Sequence, residues 1–153
     1  MTITGVLTSI QRHAFRRTER GSASVELVIV VPALVLMLGL LVGGGRLWFA
    51  RATVAEAAQT SARSASLARS AEQATVDGPA AGRASLSTAG LTCADASVSI
   101  GTAAFAVPVG SPATVTSSVV CRVPFGDILL PGMPGSIVIT ADGSSALDTY
   151  RSR

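Results

Sequence analysis

An uncharged apolar run from Leu27 to Gly45, behind a head bearing Arg12, Arg16, Arg17 and Arg20, constrains this chain more than any other feature. As a helix rising about 1.5 Å per residue, its 19 residues reach roughly 28 Å, close to the bilayer hydrocarbon thickness of about 30 Å. The run therefore predicts one membrane-spanning helix, with the Arg-rich side cytoplasmic and the rest of the chain outside. Arg46 and Trp48 follow at the expected outer interface, where an arginine extends its charge out of the lipid and an indole favours the headgroup level. Pro32 removes one backbone donor near the cytoplasmic end and predicts a local kink. Gly39 and Gly43 form a G-x-x-x-G pair, extended by Gly44 and Gly45, which permits close approach of another helix; glycine is also simply common in membrane helices.

The entry to the run is Gly21-Ser-Ala-Ser-Val-Glu26. A carboxylate driven to the bilayer centre costs about 2.5 to 3.5 kcal/mol, less near the interface, so Glu26 calls for a partner. A cut after Gly21 would supply one, because the new amine of Ser22 could pair with the Glu26 of a neighbouring copy or another subunit. This junction resembles the processing site of type IV pilin-like proteins. The resemblance implies cleavage after Gly21 by a membrane-embedded prepilin peptidase on the cytoplasmic side, with the apolar helix left attached. Two alternatives remain. One is an uncleaved signal anchor in which Ser24 caps a helix and Glu26 complements its dipole. The other is a secretory signal peptide cut after Ala50-Arg51-Ala52, although the run is longer than a usual h-region and Arg46 and Trp48 are poor neighbours for such a cut.

The charge distribution serves topology. The head holds four arginines against Glu19 and so accounts for the whole net charge of +3; beyond it, basic and acidic side chains balance. No clustered basic face remains to bind nucleic acid. With 48% hydrophobic but only 4% aromatic residues, and one span's worth of apolar content in Leu27 to Gly45, one modest exterior domain is expected.

From Leu47 the chain reads as a continuing Ala-rich helix, so that one helix is expected from about Ser24 to about Ser70. Its shallow apolar face is Leu47, Ala50, Val54, Ala57, Ala58, Ala65 and Ala68. Asp77-Gly78-Pro79 reads as a stop, with Asp77 capping a short second helix, Pro79 in its first turn and Gly90 at its end. Past Gly90 the Val, Thr, Ser and Ile content predicts strands near 96–100, 113–123 and 136–141, with a possible fourth at 145–149. Val115, Val119, Cys121 and Val123 share one strand face by alternation, as do Val98 with Ile100 and Ile137 with Ile139. Pro124 to Pro134 reads as a long apolar loop in which Ile128, Leu129, Leu130 and Met133 plug the core or form a contact surface, the former being favoured.

The whole chain resembles the TadE family of the Tad (tight adherence) or Flp pilus machinery. Three segments carry the resemblance: the Gly21 to Glu26 motif with its run ending Leu-Trp-Phe, the helix Ala52 to Ala68, and the strand region closing in Asp148-Thr149-Tyr150-Arg151. It implies a bacterial minor pilin-like subunit, cleaved by prepilin peptidase and acting in assembly or at the tip of a pilus. Its implied partners are other pilin or pilin-like subunits and the Tad assembly machinery. The expected fold is α+β: a long pilin-like membrane-spanning helix continuing into an Ala-rich helix, then a small antiparallel sheet. The expected organisation is a leader (1–21), a transmembrane helix (22–46), an extracytoplasmic helical stalk (47–90) and a β-rich domain (91–153). The expected location is the cytoplasmic membrane, in contact with lipid, with one pass and the C-terminal domain outside. The alternative function is a membrane-anchored binding or adhesion module that keeps its leader.

Cys93 and Cys121, the only cysteines, both fall on the outer side by this topology, where oxidation is permitted. A bridge between them is favoured over two separate buried thiols. Two thiols make no tetrahedral zinc site, and no histidine follows His13 to complete one, so no metal or other cofactor is expected. The same lack of histidine leaves no Ser-His-Asp or Cys-His arrangement for the exterior domain. Asp127, Asp142 and Asp148 are scattered, and Gly43-Gly44-Gly45 is no phosphate loop, since no strand precedes it and the chain has no lysine. An enzyme is not expected.

Overall fold

The computed structural model of the chain describes residues 4–128 and 134–150, with side chains from Glu26 onward. Its elements in order are α1 (Thr4–Leu67), α2 (Ala71–Thr88), β1 (Asp95–Gly101), a 3-10 turn (Ala103–Ala106), β2 (Ala113–Pro124), the one-turn helix α3 (Phe125–Ile128) and β3 (Ser136–Leu147). A long apolar N-terminal helix, a further helix and a three-stranded antiparallel sheet make the fold α+β, as the residue patterns predict. The chain divides into two compact units, residues 1–42 and 43–153.

The first unit is helical from Thr4. The helix thus begins well before Ser24, because the head offers no glycine or proline between residues 6 and 20 to stop it. Pro32 lies inside it without ending it. Apolar side chains from Leu27 to Val42 are exposed, from 44% at Val30 to 77% at Leu40. The segment beginning at Glu26 is long and apolar enough to cross a membrane, with a mean hydropathy of 2.7 in its richest window, of which only 6% is buried.

The second unit is two-layered. The sheet has the order β1-β2-β3, and α1 and α2 pack on one face of it. On β2, Val115, Ser117, Val119, Cys121 and Val123 alternate inward and are all buried. Ile139, Gly143 and Leu147 do the same on β3. Burial of a valine of this kind contributes about 1.5 to 3 kcal/mol. Opposite them stands the helix face read from the sequence: Ala50, Val54, Ala57, Ala58, Ala65 and Ala68 are buried, joined by Thr53, Ser61 and Ala62. Its side chains are small, so the α1 backbone comes close to the strands. Ser117 Oγ donates to the Ala58 carbonyl at 2.6 Å, and the Ser66 and Ser145 hydroxyls stand 3.0 Å apart.

Three sequence expectations are corrected here. First, α1 ends at Leu67, and α2 begins at Ala71 with Ser70 as its cap, its hydroxyl accepting from Gln73 N at 3.2 Å. Asp77-Gly78-Pro79 is therefore mid-helix, and Asp77 caps nothing. A proline inside a helix costs about 3 kcal/mol, and tertiary packing overrides that local signal. Gly78 and Gly82 lie on the buried face between α1 and β1, where a Cβ on Gly78 would stand 2.7 Å from Ile100 Cδ1. Ser61 and Ser64 of α1 donate to the carbonyls of Gly78 and Asp77 at 2.9 and 3.3 Å. The far end is as expected: Gly90 has φ +72°, Gly90 N donates to Ser87 O and Leu91 N to Leu86 O, which is a Schellman stop.

Second, no separate fourth strand occupies 145–149, because β3 runs unbroken through Asp142-Gly143-Ser144 to Leu147, paired with β2 from Pro124↔Ser136 to Ala113↔Leu147. Third, residues 124–134 are not wholly loop: Phe125–Ile128 form α3, and Phe125 N donates to Gly135 O across the turn at 3.0 Å. Ile128 is a core plug at 4% exposure, while Leu129, Leu130 and Met133 lie outside the described residues.

Candidate processing, assembly and anchoring segments

Gly21 to Glu26 lie within the helical backbone of α1, where glycine weakens the helix by about 1 kcal/mol relative to alanine. Glu26 is exposed, and the apolar side chains that follow it are exposed with it. A carboxylate at the head of an uncovered apolar helix is stable only where a positive partner or the interface meets it. Further along, Gly39 has open space within 4 Å of where a Cβ would stand, leaving a notch in the helix surface. Gly43, the first residue of the second unit, is buried. The two glycines thus differ in surroundings, and Gly39 is the one open to an approaching helix.

Residues 21–63 match the family model described as TadE-like protein. This part of the chain is similar to TadE-like proteins. The TadE-like match begins at Gly21, takes in Glu26 and the apolar run, and ends at Arg63 on the helix that packs under the sheet. It leaves α2 and the sheet outside its bounds. No curated protein and no solved structure matches the chain.

In the second unit, Cys93 and Cys121 are joined in a disulfide, with Cα atoms 5.5 Å apart. Cys121 is fully buried on β2, and Cys93 lies two residues before β1 and is partly buried. The bridge therefore ties the C-terminal end of α2 and the β1 edge to the central strand. Asp127, Asp142 and Asp148 are all exposed and belong to α3, to the outer face of β3 and to the turn after it. The Asp148 carboxylate accepts from Tyr150 N at 3.0 Å. Among the described residues no three of His, Cys, Asp and Glu come together to hold a metal ion.

One arrangement has no sequence-local signal. Arg46, the residue after the apolar run, donates from its guanidinium to the Asp127 carbonyl at 3.3 Å, across 81 residues of chain. The two flank a groove of about 440 Å³ that also includes Phe49, Leu91, Val123 and Ile128. Only the tertiary fold brings α3 to the start of the second-unit part of α1.

Proposed function

We propose that the chain is a minor pilin-like subunit of a Tad-type pilus. In this reading residues 1–21 are a leader removed by prepilin peptidase after Gly21, 22–46 a transmembrane helix, 47–90 a helical stalk and 91–153 the exterior β-rich domain. The observation that carries it is Glu26 at the head of an apolar helix that the chain itself leaves uncovered, within the segment matched to TadE-like proteins. In the bilayer, lipid covers that helix. On assembly, the helices of other pilin or pilin-like subunits replace lipid, Glu26 meets the freed amine of a Ser22, and Gly39 admits a neighbouring helix closely. Its role is structural, and catalysis belongs to its processing enzyme.

Glu26→Leu tests the assembly role. The variant is expected to stay in the cytoplasmic membrane with the domain outside and to be missing from sheared surface fibres. Unchanged incorporation would show that Glu26 is dispensable for assembly, and absence of the parent chain itself from the fibres would favour the anchored binding module.

A further inference from the structure

We propose that the groove between Arg46 and α3 is a lipid site for a phosphoethanolamine headgroup and the start of its acyl chain. The inference rests on the reading of Leu27 to Gly45 as a membrane span, and the groove itself lies wholly within the second unit. Continuity names the occupant. Arg46, which lines the groove, is the first residue after the apolar run, so on the membrane-span reading its guanidinium stands at the outer headgroup level.

Its walls are graded for such a molecule. Val123 and Ile128 lie beneath its surface at 0% and 4% exposure, Leu91 is partly buried, and Phe49, 53% exposed, offers the accessible apolar wall. Two opposite charges border the mouth. Arg46 is exposed, and among the described residues its guanidinium donates to the Asp127 carbonyl rather than the carboxylate, which steadies the fork while leaving donors for a phosphate. Asp127 is exposed on the same groove and offers a carboxylate to an ammonium. One cation and one anion complement a zwitterionic aminophospholipid. They complement an anionic phosphatidylglycerol less well, because that headgroup brings no ammonium to Asp127.

The test uses the full chain in nanodiscs carrying phosphatidylethanolamine, phosphatidylglycerol or phosphatidylcholine, each with a photoactivatable group early in the acyl chain. Labelled peptides are read by mass spectrometry. Phosphatidylethanolamine is expected to label peptides containing Phe49, Leu91 and residues 123–128 more than the other two lipids. Arg46→Gln and Asp127→Asn are each expected to lower that labelling by about tenfold, the scale of one charge-assisted contact. Thr92→Trp, at an exposed lining position, is expected to fill the groove and remove labelling by every lipid while the melting temperature is kept. Labelling of residues 27–45 without the groove would overturn the lipid site alone, and labelling of neither would overturn the span as well. Groove labelling that ignores headgroup and both charge variants would also overturn the proposal.

Discussion

Ser117 donates its hydroxyl to the carbonyl of Ala58 at 2.6 Å, and Gly143, paired with Ser117 across β2 and β3, lies against the same peptide of α1. A Cβ on Gly143 would fall on the Ala58 carbonyl and stand 2.7 Å from Gln59 N, so the helix backbone would have to move. Gly143→Ala is expected to destabilise the second unit by about 1 to 3 kcal/mol through overpacking, and Ser117→Ala by about 1 kcal/mol through a lost hydrogen bond. Thermal unfolding of the detergent-solubilised chain measures both. A Gly143→Ala variant that melts with the parent would contradict the close seating of α1 on the sheet.

The Cys93–Cys121 bridge closes a loop of 28 residues' separation, and the chain-entropy relation gives about 3.5 kcal/mol of stabilisation for a loop of that size. Reduction is expected to lower the melting temperature clearly. Cys121→Ser is expected to cost more than Cys93→Ser, since it also places a hydroxyl at a fully buried position. Comparing the two single variants under reducing conditions separates that burial penalty from the lost cross-link. Equal melting temperatures would argue against the burial difference between the two sulfurs.

The ends of α2 make a third pair of expectations. Ser70→Ala removes the cap on Gln73 N and is expected to cost about 1 kcal/mol. Gly90→Ala forces a Cβ into the left-handed region at φ +72° and is expected to cost about 1 to 2 kcal/mol. Asp77→Ala is expected to be nearly neutral, because Asp77 lies mid-helix and its side chain caps nothing. A large loss on Asp77→Ala, with none on Ser70→Ala, would restore a helix start at Asp77. Chemical denaturation of the full chain reads all three.

Much of this architecture was legible in the residues. The apolar run, the Ala50-Val54-Ala57-Ala58 face and the alternation of Val115, Val119, Cys121 and Val123 are periodic signals, and periodicity survives folding because burial is what creates it. The failures came where a local signal was overruled by a distant contact. Gly78 and Pro79 read as a helix stop, yet both are buried in mid-helix and Gly78 fits the close approach of α2 to α1 and β1. The gap left between strands 136–141 and 145–149 takes in Gly143, which is glycine because α1 crosses there. The Arg46 to Asp127 bond joins residues 81 apart and had no local trace at all.

Gly21 sits in helical backbone, and a protease must open that turn to reach the bond after it. Gly21→Ala strengthens the helix by about 1 kcal/mol and crowds the residue before the cut, so it is expected to slow or block processing. Gel mobility of the membrane-bound chain, with prepilin peptidase co-expressed, follows this directly. Processing at the parental rate would contradict the assignment of the cut to Gly21.

On the proposed function, this chain enters a pilus pathway through cleavage behind its leader. The most direct measurement is the N-terminal residue of the mature protein, by intact mass and N-terminal peptide mapping, with and without prepilin peptidase. A peptidase-dependent start at Ser22 is the predicted result. A start at Met1 would leave an uncleaved membrane anchor, and a start at Thr53 would mean a secreted domain; either would contradict the pilin-like account.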